Sequence, residues 1–208
     1  MTRYDKRVQA LAIGLSALAG YIDAIGFIEL GGFFVSFMSG NSTRLGVGLI
    51  ERSNDAAVAG GLIATFVLGV IAGSLTGKFA GANRRFVVLM LVAALLAVAA
   101  LCAAVGAARF AIFAMALAMG AENSVFEQGD ETHIGLTYMT GALVKFGQRA
   151  AAALTGGNRV AWASYLLLWA GLVVGAVVGA ATYAWLGLAG LWIAAAFAAL
   201  AAMIARKL

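Results

Sequence analysis

The sequence predicts an all-α, polytopic membrane protein, and three observations predict it. Hydrophobic residues fill 63% of the 208 positions and charged residues only 11%, against about 25% charged in a soluble domain. Apolar runs recur along the chain at 8–28, 57–79, 85–105, 108–126, 160–184 and 187–205, each close to the roughly 20 helical residues that cross a hydrocarbon core. Two further apolar stretches, 33–50 and 133–154, are interrupted by polar residues. The expected architecture is six full spans plus two broken or re-entrant helices, with eight full spans as the alternative.

Each element follows from local signals. The run 8–28 is preceded by Arg3, Lys6 and Arg7, and its Ala17-Leu18-Ala19-Gly20 has the outline of a secretory signal. Apolarity continues to Ile28 and the rest of the chain is equally apolar, so this run reads as a retained first helix. Proline is absent, so any helix break must come from the 27 glycines or from polar residues. The connections at 51–55, 80–84, 127–132 and 155–159 are short, which makes 1–208 a single integral membrane domain. The net charge of +5 sits mostly at segment ends; that is a topology signal rather than a nucleic-acid surface.

Charge also bears on the number of spans. With six spans, Arg3, Lys6, Arg7, Lys78, Arg84, Arg85, Arg149, Arg159, Arg206 and Lys207 lie inside, and Arg52 and Arg109 outside. With eight, Lys78, Arg84 and Arg85 move outside while Arg52 and Arg109 move in. The positive-inside rule favours six by a small margin, and both schemes put both termini in the cytoplasm.

The chain echoes itself about 100 positions on. Phe37-Met38-Ser39-Gly40-Asn41 returns as Tyr138-Met139-Thr140-Gly141-Ala142, and Arg44 then falls on Lys145. Upstream, Ala19-Gly20-Tyr21-Ile22-Asp23 returns as Met119-Gly120-Ala121-Glu122-Asn123. Downstream, Gly69, Gly73 and Gly77 match Gly171, Gly175 and Gly179. The three features keep their order, which points to two internal repeats, approximately 8–105 and 108–205. Three spans per half would make the repeats inverted and four would make them parallel; transporters use both, with the site near the midplane.

The interrupted stretches hold the candidate site. Ser39, Gly40, Asn41, Ser42, Thr43 and Arg44 stand in the middle of a run long enough to enter a membrane, where lipid offers no hydrogen bonds and an arginine at mid-depth costs about 2.5–3.5 kcal/mol. Tyr138, Thr140, Gly141 and Lys145 form the second half of that site. If each motif opens a half-helix, its free N–H groups favour an anion or the negative end of a polar solute. The competing reading is close helix packing by small residues, and Ser36 and Thr137 taken singly read that way. Asp23 lies inside the first span, with Glu122 and Asn123 in the corresponding place. Intramembrane carboxylates face a cavity or a cation, so these are ion-coupling candidates, or members of structural ion pairs with Arg44 or Lys145.

Other chemistry finds few parts. His133, the single histidine, follows Glu127-Gln128-Gly129-Asp130-Glu131 and reads with that acidic loop as a solvated turn. Cys102 has no cysteine partner, and no Cys/His spacing suits a metal. No GxSxG, HExxH or Walker loop occurs, so neither an enzyme nor a cofactor is expected. The glycine ladders read as close helix contacts and allow a homodimer.

The order GYIDAIGF, FVSFMSGNSTRLG, AMGAENSVF and THIGLTYMTGALVKFGQ resembles the YoaK-like family of uncharacterised bacterial inner-membrane proteins over nearly the full chain. SGNSTRLG and TYMTGALVKFG are its most specific parts. Where members typically read like TGTLT in the second motif, this chain has Ala142 and Val144, which makes the second motif less polar. The resemblance implies a multi-pass protein of the bacterial inner membrane and brings no substrate with it. The residues favour a small secondary transporter or channel for a polar or anionic solute. The alternative is a non-transporting scaffold or partner-binding protein.

Overall fold

The computed structural model describes residues 5–128, 131–132 and 136–208. Among these, the α-helices are α1 (Lys6–Glu29), α2 (Met38–Glu51), α3 (Asn54–Ala80), α4 (Arg84–Ala104), α5 (Ala108–Glu122), α6 (Met139–Leu154), α7 (Ala163–Leu186) and α8 (Leu191–Ala205). A two-residue antiparallel ladder pairs Glu127 with Thr132 and Gln128 with Glu131. The run expected at 108–126 stops as helix at Glu122 and continues as turns to Phe126.

Three helical stretches are long and apolar enough to cross a membrane: Lys6–Glu29, Asn54–Ala104 and Ala163–Ala205. The last two are each bent back on themselves. Gly81, at φ 54°, and Gly187, at φ 55°, take backbone values that favour glycine, and each opens a 3-10 turn between two helices. Ile71, Leu75, Val174, Val177, Val178, Ile193 and Leu200 point outward on these helices. A protein surrounded by water would bury such a belt, so the chain is a helical membrane protein.

Side-chain contacts fix the directions of the helices. Arg7 on α1 and Lys207 after α8 line one groove. Arg84 to Phe86 at the start of α4, Phe126 and Glu127 after α5, and Arg206 line a neighbouring cleft of about 460 Å³. Ser164 at the start of α7 donates to Gln9 at the start of α1 (3.2 Å). These termini share one end of the bundle, here the basic end. At the other end Tyr183 of α7 donates to Glu29 of α1 (2.6 Å). Thus α1, α4 and α7 run away from the basic end, whereas α3, α5 and α8 run toward it. Two residues separate the end of helix α2 from the start of α3, at the far end where α1 finished, so the stretch between α1 and α3 makes no net crossing. The stretch containing α6 likewise returns to the basic end. Six crossings and two re-entrant helices result, and the eight-span alternative falls.

The core is made by α1, α4, α5 and α8, through Leu15, Ile22 and Ile25, Leu89, Val92 and Leu96, Met115 and Met119, and Ala194 and Ala198. The glycine ladders dock the outer helices onto it. Gly171, Gly175 and Gly179 of α7 lie on the backbones of Ile13, Ala17 and Tyr21 of α1. Gly69 and Gly73 of α3 lie on those of Leu117 and Ala121 of α5. Gly20 and Gly120 complete the two contacts from the other side. A Cβ at these positions would overlap backbone atoms, so the close approach requires glycine. The ladders are thus used inside the protomer and are not open to a second copy.

Candidate functional site

The first re-entrant segment starts where α1 stops. Gly31 and Gly32, at φ 64° and 111°, reverse the chain, and the Gly32 N–H closes back onto the Phe27 carbonyl (2.8 Å). Residues 33–37 then run back beside the last turns of α1 without helical bonds of their own. A membrane interior tolerates such backbone only if protein satisfies it. Asp23 Oδ1 accepts the N–H groups of Val35 and Ser36 at 2.8 Å each, and Oδ2 accepts the Ser36 hydroxyl at 2.8 Å. Asn41, fully buried, brackets Phe34: its Oδ1 accepts the Phe34 N–H (3.1 Å) and its Nδ2 donates to the Phe34 carbonyl (2.6 Å).

This changes the meaning of several residues. Asn41 was expected among the solute-binding groups, but both ends of its amide serve the loop. Ser36, expected to be a packing residue, is the partner of Asp23. Gly40 is half-buried under the rings of Phe34 and Phe37, which a Cβ would strike. Ser42 and Thr43 donate to carbonyls of their own helix, Met38 and Ser39 (2.8 and 3.3 Å). Ser39 and Thr43 face outward from the protomer. Arg44 does not lie at mid-depth, because α2 runs from its start toward the far end of the bundle, where α3 begins. Its guanidinium stands over the Phe33 ring (4.6 Å) and against Gly32, level with the reversal after α1.

The second segment repeats the plan with other groups. Asn123 donates to the Met119 carbonyl (3.0 Å) and accepts from the Thr137 hydroxyl (3.2 Å), so Thr137 too is a latch partner rather than a packing residue. Ala142 occupies the buried place of Asn41. Thr140 and Gly141 face outward, as do Tyr138 and Lys145; the Lys145 ammonium lies 5.9 Å from the Tyr165 ring centroid. Glu122 is fully buried, and neither carboxylate oxygen has a hydrogen-bond partner among the described residues. The pairing of Arg44 or Lys145 with Asp23 or Glu122 is therefore not formed: Asp23 is saturated by the loop, and both cations are held over aromatic rings. His133, Gly129 and Asp130 lie outside the described residues.

The two motifs approach one face of α1 from opposite ends of the bundle. Asp23 holds the lead-in to α2, and the Ser16 hydroxyl, which donates to the Leu168 carbonyl (2.9 Å), lies 3.8 Å from the Met139 sulfur at the start of α6. Two helical turns separate Ser16 from Asp23, about 10 Å along α1. Neither α2 nor α6 has a side-chain cap; at the start of α2 the Met38 N–H bonds the Ser36 carbonyl (3.1 Å). A groove of about 540 Å³ on the outside of the α1–α7 contact includes Asp23 and Phe34.

One cluster escaped the sequence reading. Glu127, expected in a solvated loop, is half-buried in an ion pair with Arg84 (3.1 Å) and accepts from Ser74 (2.7 Å). Arg84 also donates to the Ser124 carbonyl (3.2 Å). The available signal was the placement of Glu127 directly after a span and of Arg84 directly before one.

Comparison with known proteins identifies the family. A family model described as "Protein of unknown function (DUF1275)" matches residues 11–204. The chain belongs to that family. It is also 39% identical over 184 residues to the UPF0700 transmembrane protein RA0705 of Rhizobium meliloti (strain 1021), covering 88% of this chain and 80% of the relative. The YoaK-like resemblance read from the motifs is to this same family. No solved structure matches the chain significantly.

Proposed function

We propose that the protein is a small secondary transporter or channel for a polar or anionic small solute, with its path built around the starts of α2 and α6. The observation that carries the reading is the pair of helix starts without side-chain caps, entering from opposite ends and meeting α1 two turns apart. Free N–H groups and the positive end of each helix dipole favour a negative group between them. Ser39 and Thr140 stand at these starts, with Arg44 and Lys145 one to two turns beyond. The halves 8–105 and 108–205 run in opposite senses with corresponding elements in the same order, which supports an inverted pair of repeats of the kind transporters use.

The hydroxyl-bearing faces of α2 and α6 look outward from one protomer, where lipid cannot bond them. A homodimer closing over these faces completes the path in this reading. The basic end carries Lys6, Arg7, Lys78, Arg84, Arg85, Arg149, Arg159, Arg206 and Lys207, and the far end Arg52 and Arg109. By the positive-inside rule the basic end, with both termini, faces the cytoplasm of a bacterial inner membrane.

Reconstitution into liposomes tests this. Protein-dependent flux is expected for at least one member of a panel of small organic and inorganic anions and neutral polar solutes, and is expected to fall at least tenfold in Ser39→Val with Thr140→Val. Unchanged flux in that double variant removes the helix starts from the mechanism. A second reading, a non-transporting scaffold, draws on the bonding of Ser42, Thr43 and Asn41 within their own segment, which leaves fewer groups for a solute. Absence of flux across the panel, with a stable stoichiometric partner complex lost on replacing Ser39 and Thr140, would favour it.

A further inference from the structure

The two intramembrane carboxylates differ in what surrounds them. Asp23 has three donors on its two oxygens. Glu122 has none, although no part of it reaches solvent. It is the last residue of α5 and lies on one stripe with Met115 and Met119, at the i, i+4 and i+7 positions of a helix face. Both methionines are fully buried, and Met115 reaches Gly26 of α1, so this stripe faces the bundle interior.

Among the described residues, no charged group bonds Glu122. Helix α5 packs on α1, α3 and α4. On α1, Asp23 is bound to the loop, Glu29 lies at the far end bonded to Tyr183, Lys6 and Arg7 lie at the first turn, and the Tyr21 hydroxyl donates to the Gly190 carbonyl. On α3, Asp55 is in the first turn and Lys78 in the last. On α4, Arg84 is paired with Glu127, Arg85 stands over Phe126, and Cys102 lies near the far end. Beyond these, Arg109 begins α5 at the far end, and Arg206 stands over Phe86. None of them bonds Glu122. An ionised carboxylate in such a place costs several kcal/mol. A metal cation there would need further oxygen ligands, and the described residues offer no group of three acidic, histidine or cysteine side chains for one.

We propose that Glu122 is an exchangeable proton-binding site, occupied in the arrangement described here and emptied only when water reaches the end of α5. On release, the carboxyl O–H bond breaks, the electron pair stays on the carboxylate, and water takes the proton as hydronium. The neighbouring residue gives the site its leverage. Asn123 holds the lead-in to α6 through Thr137 (3.2 Å), so proton release at Glu122 takes place one residue from the contact that positions that helix start. This deepens the transport reading by naming the proton as the coupling ion, but proton binding itself does not depend on transport.

Infrared difference spectroscopy of the full chain in lipid bilayers tests it without a solute. Wild type is expected to show a protonated-carboxyl band that is lost in Glu122→Gln, kept in Asp23→Asn, shifted in Glu122→Asp and in deuterium oxide, and reversibly removed at high pH. Identical spectra for wild type and Glu122→Gln would mean an ionised side chain and overturn the proposal. So would a band indifferent to pH and deuterium, or one abolished by sodium in place of choline at fixed pH. Should Glu122→Gln fail to fold, the Glu122→Asp shift decides. An intact, exchanging band with no flux of any solute removes the transport reading alone; flux without the band removes this inference alone.

Discussion

The two re-entrant segments share a frame and are fastened differently. In the first, a carboxylate and an amide bind the backbone of three successive residues: Asp23 takes Val35 and Ser36, and Asn41 takes both sides of Phe34. In the second, the corresponding positions hold Asn123, Thr137 and Ala142, and Asn123 meets Thr137 through side chains. The carboxylate has moved one residue earlier, to Glu122, and turned into the core with nothing to bond. An intramembrane acid therefore has no single meaning. Beside unbonded backbone it is a fastener; beside methionine it is a group that needs a proton.

Breaking the frame itself should have the largest effect. Gly175→Leu and Gly69→Leu each drive a side chain into the carbonyl of a facing helix and are expected to cost about 3 kcal/mol or more, read as loss of a monodisperse peak after solubilisation. The two halves should suffer alike; tolerance of one would show that its ladder is dispensable. Next comes the fastener. Asp23→Ala strands two N–H groups in the interior and should lower stability by about 2–4 kcal/mol, measured by detergent denaturation.

The opposite sign is expected across the comparison. Glu122→Met continues the methionine stripe and removes an unpaired buried polar group, so stability should rise by about 1–3 kcal/mol. A fall would mean that Glu122 has a partner in the membrane and would end the contrast with Asp23. Thr137→Val gives up one neutral hydrogen bond and should cost about 1 kcal/mol, well below Asp23→Ala. The smallest effect is reserved for the outward face: a Cβ at Gly147 meets nothing within 4 Å, so Gly147→Ala should stabilise α6 by about 0.5 kcal/mol. If a second copy covers this face, Gly147→Leu would instead lower the dimer fraction in analytical ultracentrifugation while leaving the protomer folded.

Much of the frame was legible in the residues. The apolar runs fall within a few positions of the helices, and the polar interruptions at 39–44 and 140–145 fall at the two re-entrant starts. Gly69 and Gly73, with Gly171, Gly175 and Gly179, are close helix contacts, as their spacing of four implies, whereas Gly77 lies against the Arg84 guanidinium. The site was less legible. Asn41 and Ser36 look like any polar pair in a string of letters. Their use on Phe34 and Asp23 depends on residues 33–37 folding back along α1.

The sequence by itself determined that this is a helical membrane protein, where its helices break, and which faces are small enough for close approach, because hydropathy and periodicity are local properties. Only the tertiary structure decided the six crossings. A re-entrant stretch and a full span contain similar lengths of apolar chain, and contacts at the helix ends are needed to give direction. It also separated Asp23 from Glu122, since whether a buried carboxylate is satisfied depends on donors that folding brings to it from elsewhere.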